Sequence, residues 1–319
     1  MVVWAEIPYI SEHMPNGREN TISQMKELII QNYHHASIVT WGVSNEITIV
    51  DKNRKDMMDN HRVLNDLCHQ MDPTRLTTLA CYAMCMPWDE VGKVTDIVGW
   101  NLYLGWYVPG LFLNDWWMTL YRLLNPKGCL CFSEYGAEGM PNLHSVKPRR
   151  GDHTEDYQAV YHEYMLKCFA RHPFMWATYV WNMVDFAADA RNQGGDPCMN
   201  HKGLVTFDRK IKKDSFYLYK AWWSKEKFIH IAGKRFEYRT GNTLKIKVYS
   251  TLNELSIYHN DKLIETKKGN KVFEFTVPNS EVNNIIVKGE NFLDSCVIYK
   301  TDKPKEEYIL KQENSDNWV

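Results

Sequence analysis

The sequence has no surplus of charge: 38 lysines and arginines face 39 aspartates and glutamates, a net of −1. Nothing is available to neutralise a phosphate backbone, which excludes nucleic acid as a partner. No apolar run approaches the roughly 18 residues of a membrane span, so no membrane association of that kind is expected. The opening Met1-Val2-Val3-Trp4-Ala5-Glu6 lacks a basic n-region and reaches a carboxylate too early for a signal peptide, which points to the cytoplasm. There is no Cys-x-x-Cys pair. Cys68, Cys81, Cys85, Cys129, Cys131, Cys168, Cys198 and Cys296 are too sparse in 319 residues for a disulfide scaffold, and buried free thiols are expected. No glycine-rich phosphate loop follows a strand, Gly194-Gly195 being isolated. His162-Glu163 has no second histidine four residues after the first, so a zinc-protease helix is absent too. Repeats and low-complexity tracts are also missing.

Aromatics are plentiful: 12 Trp, 18 Tyr and 12 Phe make up 13% of the chain. That excludes disorder and suits both a rigid core and platforms on which sugar rings stack. From Val2 to about Trp223, short apolar runs alternate with amphipathic stretches, the mark of βα units around a parallel sheet. Strands are predicted at Val2–Glu6, Ser37–Val43, Leu76–Ala80, Ile97–Tyr103, Cys129–Ser133 and Met175–Trp181, each nearly continuously hydrophobic as strands buried on both faces are. Helices are predicted from Thr21, which with Gln24 forms a capping box ahead of Met25, Leu28 and Ile29; along Met57, Leu64, Leu67, Cys68 and Met71; and along Tyr157, Val160, Tyr161, Tyr164 and Cys168. Six strands, not eight, make this an α/β fold with a partial TIM (β/α)8 barrel, about six of eight βα units.

Near Ile231 the pattern changes to period two, in Leu244–Val248, Leu255–Tyr258 and Val272–Val277. Turn residues separate these at Thr240-Gly241-Asn242, Asn260-Asp261 and Pro278-Asn279. The expected organisation is a barrel domain over 1–228 lacking its first strands, a small immunoglobulin-like β-sandwich over 229–301, and a charged, solvated tail over 302–319.

Two carboxylates each close a buried strand: Glu46 after Ser37-Ile38-Val39-Thr40-Trp41-Gly42-Val43-Ser44-Asn45, and Glu134 after Cys129-Leu130-Cys131-Phe132-Ser133. A single glutamate there could cap the next helix. Two of them, on strands three apart and flanked by aromatic and amide residues, fit chemistry at the C-terminal face of a parallel barrel. Paired carboxylates suit an acetal carbon, whose oxocarbenium-like transition state needs a proton for the leaving oxygen and an anion below the ring.

These residues also carry a resemblance. Trp41-Gly42-Val43-Ser44-Asn45-Glu46 resembles the acid/base motif of the family 2 glycoside hydrolases, which include β-galactosidases and β-glucuronidases. Ser133-Glu134-Tyr135-Gly136 resembles that family's nucleophile motif, and Val3-Trp4-Ala5-Glu6-Ile7-Pro8 an early barrel strand. Val180-Trp181-Asn182-Met183-Val184-Asp185-Phe186 is similar to the last barrel strand, and Asn200-His201-Lys202-Gly203-Leu204-Val205 with Asp208-Arg209-Lys210 to the loop after it. The motifs fall in family order over roughly residues 1–225.

The resemblance implies a retaining hydrolase in which Glu46 is the acid/base and Glu134 the nucleophile. It assigns Asn45 to the sugar 2-hydroxyl, Tyr103 to orienting the nucleophile, Trp181 to ring stacking, and Asn182 and Asp185 to hydroxyl contacts. The implied partner is a small carbohydrate substrate. No cofactor is implied for the chemistry; some family members bind magnesium or sodium (Mg or Na) near the acid/base, and Glu12-His13 is a partial match to such a site.

The surroundings from Ser133 to Glu138, with His144-Ser145 and Gly151-Asp152, look more like the β-galactosidase branch, so a terminal β-D-galactoside is the first expectation. The alternative is a β-glucuronide, because Asn200-His201-Lys202 fits the Asn-x-Lys pattern that holds a uronate carboxylate; for a neutral sugar Lys202 would need another partner, such as Asp208. The family's usual N-terminal domains and first barrel strands have no counterpart in this sequence. That suggests a truncated product of a parent enzyme, itself expected to form a homo-oligomer, and leaves an inactive fragment or carbohydrate-binding remnant as the third reading.

Overall fold

A computed structural model describes residues 2–50, 52–189, 191, 194 and 196–311. The final eight residues of the expected tail, and Gly195, lie outside them. The chain forms two compact units that do not follow its linear order: residues up to 135 join 167–180, and 136–166 join those from 181 onward.

In the first unit the elements run β1 (Val3–Glu6), β2 (Ile10–Glu12), α1 (Arg18–Asn32), β3 (Ile38–Val50), α2 (Arg54–Met71), β4 (Leu76–Cys81), β5 (Val98–Asn101), α3 (Leu113–Leu124), β6 (Leu130–Tyr135), the end of α4 (Glu155–Arg171) and β7 (Ala177–Val180). All six expected strands are present. They pair in parallel in the order β1-β3-β4-β5-β6-β7, with β2 continuing along the far half of β3.

Several expectations need correction. Helix α1 begins at Arg18, after a short turn over Pro15–Gly17, so Thr21 lies inside it and no capping box forms; its hydroxyl donates back to the Arg18 carbonyl at 2.7 Å. The β4–β5 link has no α-helix, only a single 3₁₀ turn at Val91–Lys93. Helix α3 was not expected at all: Leu113–Leu124 buries Asn114, Trp117, Met118 and Tyr121 on one face and leaves Trp116 and Leu123 exposed on the other. The eight cysteines are free, but Cys129 and Cys198 are exposed rather than buried.

The sheet curls around Trp4. Its indole stacks on Trp176 at 6.5 Å and meets Tyr179 edge-on at 6.0 Å, so aromatics of the first and last strands touch. Two other strands of the sheet make room by being glycine there. A methyl on Gly99 of β5 would come within 2.8 Å of the Trp4 ring, and one on Gly42 of β3 would land on Trp4 Nε1 and within 2.7 Å of Glu6 Cβ and Cγ. Trp41 and Trp100 are fully buried with their N–H groups satisfied, by Asp72 Oδ2 and the Cys85 carbonyl respectively, each at 3.0 Å.

The second unit contains the start of α4, then β8 (Phe186–Ala187), β9 (Met199–Asn200) and α5 (Asp214–Trp223). It continues with β10 (Ile229–Ile231), β11 (Tyr238–Arg239), β12 (Thr243–Ser250), β13 (Glu254–His259), β14 (Lys262–Lys268), β15 (Lys271–Pro278), β16 (Val282–Gly289) and β17 (Phe292–Lys300). Strands β10-β12-β15 form one sheet and β11-β17-β16-β13-β14 another. Leu244, Ile246 and Val248 of the first sheet and Leu255, Ile257, Ile285 and Ile298 of the second belong to one buried cluster. The predicted Asn260-Asp261 turn joins β13 to β14 with φ of 47° and 63°, a conformation asparagine and aspartate tolerate. The stretch expected to be a solvated tail has an anchor: Tyr308 is buried edge-on against His144 and Phe236.

Candidate active site

Three parallel ladders lose register near their C-terminal ends: β3–β4 between Gly42 and Asn45, β5–β6 between Trp100 and Asn101, and β6–β7 between Phe132 and Tyr135. Such irregularities re-aim side chains, and here they do so where the candidate residues sit. Glu46 does not close its strand as expected. Strand β3 runs on to Val50, and Glu46 occupies a left-handed kink within it at φ 50°.

The first unit brings Asn45, Glu46, Tyr103 and Glu134 together through a residue that sequence reasoning passed over, Asn101. Its amide nitrogen donates to Asn45 Oδ1 at 2.9 Å, and its oxygen accepts from the Ser133 hydroxyl at 2.7 Å. One fully buried side chain thus ties β3, β5 and β6. The Tyr103 hydroxyl donates to Glu134 Oε2 at 2.5 Å, the short distance typical of a charge-assisted bond. Burial and then the Glu134 charge push the Tyr103 phenol well above its ordinary value, so it stays a donor. Burial likewise pushes the Glu46 carboxyl up, against the opposing effect of an Asn101 hydrogen bond. A third carboxyl was also missed. Glu6 ends β1, accepts from Trp4 Nε1 at 3.0 Å, and is pushed up to about 8, chiefly by burial and further by the Glu134 charge.

Trp181, Asn182, Asp185, Asn200 and Lys202 lie in the second unit. Trp181 meets Phe186 edge-on at 5.8 Å, and Asn182 donates to the Val184 carbonyl at 2.8 Å. Asp185 is buried and accepts from the Lys213 ammonium at 2.8 Å. Asn200 Oδ1 accepts the Lys202 backbone N–H at 3.0 Å. The carboxylate beside Lys202 is Glu138, at 2.9 Å, and not Asp208, which is exposed and bonded to Thr206 and Lys210. Glu138 also receives Arg191 at 2.9 Å and the His201 backbone N–H at 2.7 Å. Burial pushes the Glu138 carboxyl up, but the Lys202 and Arg191 charges more than offset this and hold it well below the usual range.

His13, the partial metal match, bonds instead to the Tyr9 hydroxyl at 2.5 Å and Asp56 at 2.7 Å, while His34 and His35 are exposed with rings 4.1 Å apart. Asp115, Cys168 and His172 of the first unit are close enough to surround an ion, but Arg171 already binds both oxygens of Asp115, at 2.9 and 2.6 Å.

Residues 8–227 match the model for the TIM-barrel domain of the family 2 glycosyl hydrolases. The chain belongs to glycoside hydrolase family 2. Its similarity to a β-glucuronidase of Bacteroides fragilis is 34% identity, over 95% of this chain and 46% of that protein. Among solved structures it is similar to an FMN-binding β-glucuronidase from Faecalibacterium prausnitzii L2-6, with TM-score 0.94 and 42% identity over 97% of this chain and 48% of that one. A putative β-galactosidase from Bacteroides fragilis follows at TM-score 0.88 and 30% identity, over 96% and 47%. The chain therefore spans about half the length of the family members it matches. Among the described residues no helix is long and apolar enough to cross a membrane.

Proposed function

We propose that this family 2 chain carries the catalytic carboxyls of a retaining β-glucuronidase. The observation that carries the reading is the Tyr103 hydroxyl on Glu134, together with a second carboxyl, Glu46, whose pKa burial raises. Glu134 attacks the anomeric carbon while Glu46 protonates the departing oxygen. Once Glu134 is esterified its charge is gone, and Glu46 gives up its proton readily enough to activate water for the second displacement.

For the sugar, the β-glucuronidases among the relatives support the uronate reading over the galactoside first expected from Ser133–Glu138. Asn200 and Lys202 are then the uronate-recognising pair. Glu138 fixes the direction of the Lys202 ammonium through a charge-assisted hydrogen bond at 2.9 Å. The division into a barrel domain to residue 228 and a β-sandwich after it belongs to the same proposal.

The test is hydrolysis of chromogenic β-glucuronide and β-galactoside by this chain, with Glu134→Gln and Lys202→Met. Turnover of the glucuronide that dies with Glu134→Gln, and a rise in KM for Lys202→Met, support the reading. Preference for the galactoside overturns the sugar assignment. Sugar binding without turnover favours the binding-remnant alternative.

A further inference from the structure

Hydrogen bonds run in one sense across the three strands that hold the carboxyls. Asn101 is the last residue of β5, fully buried, with a different neighbour at each end of its amide. The Ser133 hydroxyl on β6 donates to its Oδ1 at 2.7 Å, and its Nδ2 donates to Asn45 Oδ1 on β3 at 2.9 Å. Register places the same residue opposite Glu134. Its hydrogen bond to Glu46 has that sense too, since an ionised carboxylate only accepts. Reversing the whole chain would take away the donor that Glu46 needs when it is ionised. The amide nitrogen of Asn101 is therefore fixed on the β3 side.

Asn45 inherits this sense. With its Oδ1 turned toward Asn101, its own amide nitrogen is turned away, half-buried and next to Glu46 in the chain. Among the described residues no acceptor takes either of those two N–H groups. The side chain beside the acid/base thus presents donors outward and keeps its acceptor inward.

We propose that Asn101 is a positioning residue for the sugar-binding amide: by occupying Asn45 Oδ1 it locks Asn45 as a donor to the oxygen of the sugar 2-hydroxyl, and the Ser133 hydroxyl locks Asn101 in turn. This rests on Glu46 and Glu134 being the catalytic carboxyls and on Asn45 meeting the 2-hydroxyl. An asparagine held by nothing can show a ligand either end of its amide. Asn45 cannot, because turning it over would set its nitrogen against the Asn101 nitrogen and leave buried donors without an acceptor. Glucuronides and galactosides share the 2-hydroxyl, so the device serves either sugar.

The experiment measures calorimetric Kd values for glucuronate and for 2-deoxy-2-fluoroglucuronate, whose fluorine can accept at that position but never donate. The full chain is compared with Asn101→Asp, Ser133→Ala, Asn45→Ala, and Asn45→Ala combined with Asn101→Asp. The readout is the ratio of the fluoro Kd to the parent Kd, in which a general loss of folding cancels. In the unsubstituted chain the ratio is the same at pH 5 and pH 9. In Asn101→Asp at pH 9 the ionised side chain only accepts, so Asn45 turns over and sets its carbonyl against the fluorine. The ratio then rises about tenfold, the size of one hydrogen bond, and falls back at pH 5, where the protonated aspartate donates again. Ser133→Ala, which removes one hydroxyl, raises it about threefold. In the Asn45→Ala background Asn101→Asp changes it no further. A merely structural Asn101 would weaken both ligands alike. A ratio unmoved in both Asn101→Asp and Ser133→Ala, or an undiminished effect of Asn101→Asp on Asn45→Ala, overturns the proposal. Hydrolysis of a chromogenic β-glucuronide by the chain and by Glu134→Gln runs alongside. Turnover surviving in Glu134→Gln, or neither binding nor turnover in any form, overturns the reading it rests on instead.

Discussion

Replacing Tyr103 by phenylalanine removes one oxygen and isolates the bond on which the assignment of Glu134 depends. The hydroxyl donates to Glu134 Oε2 at 2.5 Å. A hydrogen bond to a charged partner is worth about 1.5–3 kcal/mol. The ring itself stays, packed against Tyr107 at 5.2 Å, so little else should change. If the bond is worth that much more in the transition state than in the free enzyme, kcat/KM falls by about 10- to 150-fold. The same energy has a second, independent expression. A donor to the carboxylate stabilises its charged form, so losing it moves the acid limb of the pH profile to higher pH. Because burial and the Glu134 charge keep the Tyr103 phenol protonated well beyond its ordinary value, no alkaline feature of the wild-type profile belongs to it. The assay is kcat/KM for a chromogenic glucuronide from acid to neutral pH, with the rate of covalent trapping by a fluorinated glucuronide, followed by mass spectrometry, as a measure of the first displacement alone. An acid limb that stays in place and a trapping rate within about threefold of wild type would refute the claim that this bond tunes the nucleophile.

Other perturbations test the frame around the site. Glu6→Gln should stabilise the fold increasingly with pH: the unfolded carboxyl ionises near 4.5 while the folded one waits until about 8, a span of 3.5 pH units that at about 1.4 kcal/mol each sets a ceiling of about 5 kcal/mol. Urea midpoints at pH 5 and pH 8 read this, and an equal difference at both values contradicts it. Gly42→Ala would drive a methyl into Trp4 and Glu6 and should cost about 1–3 kcal/mol; an unchanged midpoint would mean that Trp4 moves freely. Glu138→Gln leaves Lys202 and Arg191 without their shared carboxylate and should cost about 3–5 kcal/mol near neutrality. Because Glu138 is held well below the usual carboxylate range, its contribution is present above about pH 4.5 and fades as the pH drops through the folded value, so the gap between variant and wild type should narrow on acidification.

The parallel strands were legible because each is a continuous apolar run bounded by amphipathic helices, and the two glutamates because they sit in distinctive strings on those strands. What stayed hidden was set by tertiary neighbours. Glu6 ends a four-residue strand with nothing local to mark it, and its unusual protonation comes from burial and from Glu134, far along the chain. Lys202 has Asp208 six residues away, yet its ion pair is with Glu138, 64 residues upstream. Asn101 lay within the predicted strand Ile97–Tyr103, but only the side-chain geometry makes it the tie between three strands. Thr21 failed for the opposite reason: a local rule was followed although the Pro15–Gly17 turn had already started the helix.

The contact between Trp4 and Trp176 sets an order on how the first unit can be built. The two rings are separated by more than half the chain's length, so the sheet cannot finish curling around Trp4 while synthesis is anywhere short of β7. Until then Trp4, Gly42 and Gly99 form a groove with an open side, exposing the inner face of the sheet to whatever else is near. The rate of completing this unit is therefore governed by one distant closure rather than by its many local βα steps, as expected for non-local contacts. The paired indoles themselves provide the spectroscopic signal that would time it.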